Sequence, residues 1–132
     1  MDTKNLKQVV DFKASPHEVF EALMDPKKHA AFTGSKAVIV RKAGGAFSVC
    51  DGTLLGFTLL LKKDKRIVQA WRCEMEGWPD EHFSVLDLLI EPSKGGTKLT
   101  MFHYNVPKDC ADSIDRGWND YYWVPMKEFF GE

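Results

Sequence analysis

Apolar residues along this chain recur first at intervals of two, then three and four, then two again over a long middle stretch, and finally three and four to the end. Leu6-Lys7-Gln8-Val9-Val10-Asp11-Phe12 alternates loosely and is rich in β-branched side chains, which predicts a first strand. Ser15-Pro16-His17-Glu18 predicts a sharp helix start. Ser15 can cap, Pro16 suits the first helical position, and Glu18 can close a capping box. Val19, Phe20, Leu23 and Met24 then share one face at helical spacing. Asp25-Pro26 stops that helix and starts a second short one through His29, Ala30 and Phe32, closed by Gly34.

Strand-like runs follow, separated by turn signals. They cover residues 36–41, 46–50, 53–61, 66–75, 82–91 and 97–104. Asp51-Gly52 is a strong hairpin signal. The last period is helical, from about Asp109 to Phe130. Ile114, Trp118, Tyr121, Tyr122, Pro125, Met126 and Phe129 fall in one stripe at about 100° per residue, with Trp123 towards the polar side. Pro125 removes the bond to the Tyr121 carbonyl, so a kink or break between the two is expected.

Short antiparallel strands with segregated helices predict an α+β fold. A single sheet of six or seven strands must bury one face, and a terminal helix of about 30 Å can cover it. The 132 residues suffice for one domain and one core, spanning 1–132. No tract is long and apolar enough to span a membrane, and the start lacks the apolar core of a signal peptide. A cytoplasmic location is the default expectation. A net charge of -1 argues against a nucleic acid partner.

Little of the usual chemistry is legible. Cys50, Cys73 and Cys110 are few and widely spaced, which predicts reduced thiols with at least two buried. His17, His29, His82 and His103 show no metal-ligand spacing and are expected mainly at the surface, and no cofactor motif or nucleophile elbow is present. In Thr97–Tyr104, Lys98 and Thr100 suggest the outer face, so Leu99, Met101 and His103 point inward. His103 then either offers a polar handle to a ligand or is simply hydrogen-bonded at the strand end. Asp87 is either outward in a polar patch or buried with a role. Two runs, 54–61 and 83–90, are apolar on both faces, which suits either a homodimer through the outer face or strands crossing from core to rim. Lys62, Lys63, Lys65 and Arg66 form a basic hairpin tip, either a solubilising turn or a contact for an acidic partner.

Four segments appear together in order. They are Gly44 to Gly52, Lys65 to Arg72, Trp78-Pro79 with His82-Phe83-Ser84, and Gly117-Trp118 with Tyr121-Tyr122. Together they closely resemble the C-terminal domain of activators of the heat-shock protein 90 ATPase, over about Phe12 to Gly131. The resemblance implies the helix-grip fold shared with START domains and the birch-pollen allergen, in which a curved sheet wraps a long C-terminal helix. It also implies a non-enzymatic protein that binds a heat-shock protein 90-type chaperone, with a co-chaperone or stress-response role. The eukaryotic activators use a separate N-terminal domain for the main chaperone contact, and 132 residues hold no such domain beside this one.

The alternative is a carrier or sensor of a small hydrophobic ligand between sheet and helix. Its cavity candidates are Leu99, Met101, His103, Trp118, Tyr121, Tyr122 and Phe129. The partner-binding candidates are Lys62, Lys63, Lys65, Arg66 and Trp123. An enzyme of the same superfamily would require His103, Asp87 and a tyrosine hydroxyl to converge.

Overall fold

The computed structural model describes residues Met1–Glu132. Seven strands form one antiparallel sheet: β1 (Thr3–Phe12), β2 (Val38–Ile39), β3 (Ala46–Val49), β4 (Leu54–Lys62), β5 (Arg66–Cys73), β6 (Ser84–Ser93) and β7 (Gly96–Pro107). Their order across the sheet is β1-β7-β6-β5-β4-β3-β2, so the first strand closes one edge beside the last. Two short helices, α1 (Pro16–Met24) and α2 (Pro26–Thr33), follow β1. This is the helix-grip arrangement expected from the sequence.

The helix starts follow their local chemistry. The Ser15 hydroxyl accepts from the Glu18 backbone N–H at 3.2 Å, and the Glu18 carboxylate reaches the Ser15 N–H at 3.4 Å. Asp25 ends α1 and caps α2, accepting from the Lys28 N–H at 2.9 Å. One residue thus serves two helix ends, so α2 begins directly where α1 stops.

The strand predicted over 36–41 pairs only at Val38 and Ile39. It lies at the sheet edge with Val38 and Val40 exposed, so its alternation is rewarded by little burial. Elsewhere the alternation sorts the faces. Ile67 and Trp71 of β5, Leu86, Leu88 and Ile90 of β6, and Leu99, Met101 and His103 of β7 all turn to the inner, helix-covered face and are buried. Thr100 points outward as expected but is buried between Val9 and Leu89.

The terminal segment is helical throughout but not uniformly so. A 3-10 turn at Lys108–Cys110 leads into α3 (Ala111–Trp118), then a π-helical turn at Asn119–Trp123, then α4 (Val124–Phe129). In the π turn the Val124 N–H bonds to the Asn119 carbonyl, five residues back. Helical bonding then resumes with Pro125 in the first turn of α4, where no proline N–H is required. The expected break is therefore replaced by one extra residue in a turn.

That extra residue rotates later side chains back by about one position. It corrects two expectations from the uniform 100° wheel. Trp123, expected on the polar side, is buried at 3% exposure; Tyr121, expected in the buried stripe, is 70% exposed. The Trp123 indole N–H donates to Gln8 Oε1 at 2.7 Å, and its ring stacks on Trp118 at 5.3 Å. Gln8 also donates to the Asp115 carbonyl and carboxylate, each at 2.8 Å, which ties β1 to the terminal helix.

Candidate functional site

The middle of the groove between sheet and helix is filled. His103 and Trp118 meet there with Trp71, whose ring lies 4.7 Å from the imidazole and nearly perpendicular to it. The Trp118 indole N–H donates to His103 Nδ1 at 3.1 Å. That nitrogen therefore carries no proton, and the neutral ring donates from Nε2 to Ser84 Oγ at 2.8 Å. Ser84 in turn donates to the Trp71 carbonyl at 2.7 Å. Each of these donors and acceptors is matched inside the protein. Burial holds the His103 pKa down at about 3, so the ring stays neutral. The void left on this side, beneath α1 and α2, is only about 30 Å³.

Toward one end of the helix the groove opens into a cleft of about 330 Å³, a size at the lower end of ligand pockets. Its helical wall carries Ser113, Ile114, Gly117, Trp118, Tyr121 and Tyr122. Its sheet wall carries Cys50, Thr53, Leu54, Trp71, Cys73 and Met75, and the end of α2 supplies Thr33 and Ser35. No lining residue is charged.

Cys50 is placed there by the β3–β4 turn. Cys50 and Asp51 both take positive φ, 53° and 57°. Asp51 holds that turn by accepting from the Lys36 N–H at 2.8 Å.

A second imidazole lies beneath the cleft. His29 Nδ1 lies 3.0 Å from the Leu23 carbonyl, so Nδ1 bears the proton. Burial lowers the His29 pKa, keeping the ring neutral, and Nε2 accepts from the Tyr122 hydroxyl at 2.8 Å. Cys50 Sγ sits 3.7 Å from that same hydroxyl. Burial raises the Cys50 pKa and moves that of Cys73 up to about 11, so these are thiols rather than thiolates.

The expected cavity residues divide. Trp118, Tyr121 and Tyr122 line the cleft. Leu99, Met101 and His103 point inward but are packed in the closed core, and Phe129 lies away from the cleft, 41% exposed. The expectation of surface histidines is corrected for His29, which is 5% exposed, while His103, expected to point inward from its strand, is fully buried. Cys50, Thr53, Cys73 and Ser113 were not marked by the sequence. Their positions carry no spacing signal, although a glycine at 117 within an aromatic helix was a visible oddity.

Asp87 faces outward and is held by Arg66 through two hydrogen bonds, 3.0 and 2.8 Å. It lies on the opposite face from His103, so the three groups an enzyme of this superfamily would need do not converge. No three His, Cys, Asp or Glu side chains cluster to hold a metal ion. Of the partner candidates, Lys62, Lys63 and Lys65 are exposed at the β4–β5 tip, Arg66 is engaged by Asp87, and Trp123 is withdrawn into the core. The outer face carries an apolar row, Phe57, Ala70, Val85 and Tyr104, paired strand to strand. No helix is long and apolar enough to cross a membrane.

Comparison with known proteins gives a consistent result. A crystal structure of a Plasmodium falciparum protein, described as an HSP90 activator, superposes with a TM-score of 0.88 at 22% identity, covering 96% of each chain. The human activator of 90 kDa heat shock protein ATPase homolog 1 is 31% identical over 91% of this chain and 35% of its own length. A Schizosaccharomyces pombe protein is 28% identical over 99% of this chain and 38% of its own. The chain thus spans little more than a third of the length of these relatives. Residues 13–131 match the family described as activator of Hsp90 ATPase homolog 1-like protein, and the chain belongs to that family.

Proposed function

We propose that this domain is a non-enzymatic binding module of co-chaperone type that docks on a heat-shock protein 90-type chaperone. The observation that supports it most is the family match over residues 13–131, with a human relative named as an activator of that chaperone's ATPase. The hydrogen bonding agrees with a binding role. Both ring nitrogens of His29 and of His103 are engaged within the protein, which leaves neither ring as a free general base. The exposed lysines at the β4–β5 tip are the contact offered to an acidic chaperone surface.

Calorimetry with the cognate chaperone and nucleotide tests this. Binding in the micromolar range is expected, weakened by salt and by Lys62→Glu with Lys63→Glu and Lys65→Glu. No heat at tens of micromolar would sink the reading.

A second reading rests on the cleft of about 330 Å³ and its uncharged lining. It is carriage of a small, uncharged, mainly apolar molecule. Native mass spectrometry of freshly purified protein checks it, with a bound mass that is lost on denaturation as the supporting result.

A further inference from the structure

We infer that the cleft selects a neutral, largely apolar molecule bearing a hydroxyl group, which it reads through the Tyr122 phenolic oxygen acting as a hydrogen-bond acceptor. The inference rests on the carrier reading and sharpens it to one ligand chemistry.

The direction of the hydrogen bonds carries the argument. The Leu23 carbonyl can only accept, so His29 Nδ1 holds the ring proton and Nε2 is bare. A bare Nε2 at 2.8 Å takes the proton of the Tyr122 hydroxyl. The phenol has then spent its single donor and retains only acceptor capacity, on a residue that lines the cleft beside Cys50. The group now on that oxygen is the Cys50 thiol at 3.7 Å, a weak donor that a ligand hydroxyl outcompetes. Thr33 is similarly occupied, donating to the His29 carbonyl at 2.9 Å.

The walls agree with this ligand. None of the lining residues carries a charge to pair with a carboxylate or an amine, and burying an unpaired charge there is costly. Trp71 and Trp118 supply aromatic surface for an apolar body. Gly117 supplies room. A Cβ there would meet only the Tyr121 ring at 3.7 Å, an ordinary contact, so packing does not demand glycine. A helical glycine is nonetheless disfavoured relative to alanine. What its missing side chain preserves is space in the cleft.

Three size-matched probes test the inference: naphthol, methoxynaphthalene and naphthoate. Each is titrated at neutral pH while the indole N–H signals of Trp71 and Trp118 are followed by NMR. Naphthol is expected to bind roughly three- to tenfold tighter than the methyl ether, which lacks the donor. Naphthoate is expected not to bind. Tyr122→Phe should bring naphthol and the ether level, while Cys50→Ala, which keeps the phenol, should preserve the preference. Gly117→Leu should weaken both neutral probes. Equal binding of naphthol and ether to the native protein, or a preference that survives Tyr122→Phe, overturns the hydroxyl handle and leaves the carrier reading standing. Failure of all three probes to bind overturns both.

Discussion

The two buried imidazoles sit in one groove about a single helix, yet they end in different places. His103 belongs to a closed chain, from the Trp118 indole through Ser84 to the Trp71 carbonyl. His29 belongs to a chain that runs through Tyr122 to Cys50 and reaches the wall of an open cleft. The first network spends all its polar capacity on structure. The second ends on a phenol and a thiol of two residues that line the cleft. Burial alone therefore does not distinguish the two histidines; the far end of each hydrogen-bond chain does.

The strongest way to break the contrast is Trp118→Ala, because Trp118 both lines the cleft and donates to His103. It removes a buried indole and strips His103 Nδ1 of its donor. A loss of about 3–5 kcal/mol is expected in urea denaturation. Ser84→Ala and Cys50→Ala then separate the two networks. Ser84→Ala leaves the buried His103 Nε2–H without an acceptor, at a cost of about 1–3 kcal/mol. Cys50→Ala removes only a weak, half-buried donor, and less than about 1 kcal/mol should be lost.

Acid sharpens the comparison further. An unfolded imidazole titrates at about 6.5, whereas burial holds folded His103 down at about 3. Between these values the unfolded chain binds a proton that the folded ring refuses. Stability is therefore complete above about pH 6.5 and falls as pH drops, by about 1.4 kcal/mol per unit from His103. His29, also lowered by burial, adds in the same direction. Urea midpoints measured from neutral pH downward should show this slope, flattened in His103→Gln. A slope indifferent to that substitution would contradict the assignment. Gly117→Ala acts in the opposite direction and should stabilise the helix by roughly 1 kcal/mol. It should also narrow the cleft, so that probe binding weakens as thermal stability rises.

Much of this architecture is legible in local residues. Ser15 to Glu18 specifies a helix start because both halves of its capping box lie within one turn. Leu99, Met101 and His103 share the inner face because a strand turns every second side chain the same way. The cleft was not legible. Thr33, Cys50, Cys73 and Ser113 meet only after β4 and β5 pair and the terminal helix crosses them. The Trp118 side of that wall was visible as an aromatic stripe, but the orientation of Tyr121 and Trp123 was not.

What the sequence by itself determined is the order of elements, their capping, the inner face of the sheet and the family. These follow from period, turn chemistry and short motifs, all of which act over a few neighbouring residues. Tertiary structure alone decided which aromatics are covered and where the groove stays open. Pro125 withholds one backbone donor, the π turn before it absorbs one extra residue, and that rotation carries Trp123 under the sheet onto Gln8 while Tyr121 moves to the cleft rim. The direction of the Tyr122 hydroxyl was decided in the same way, by a histidine ninety-three residues distant whose own proton is committed to a carbonyl.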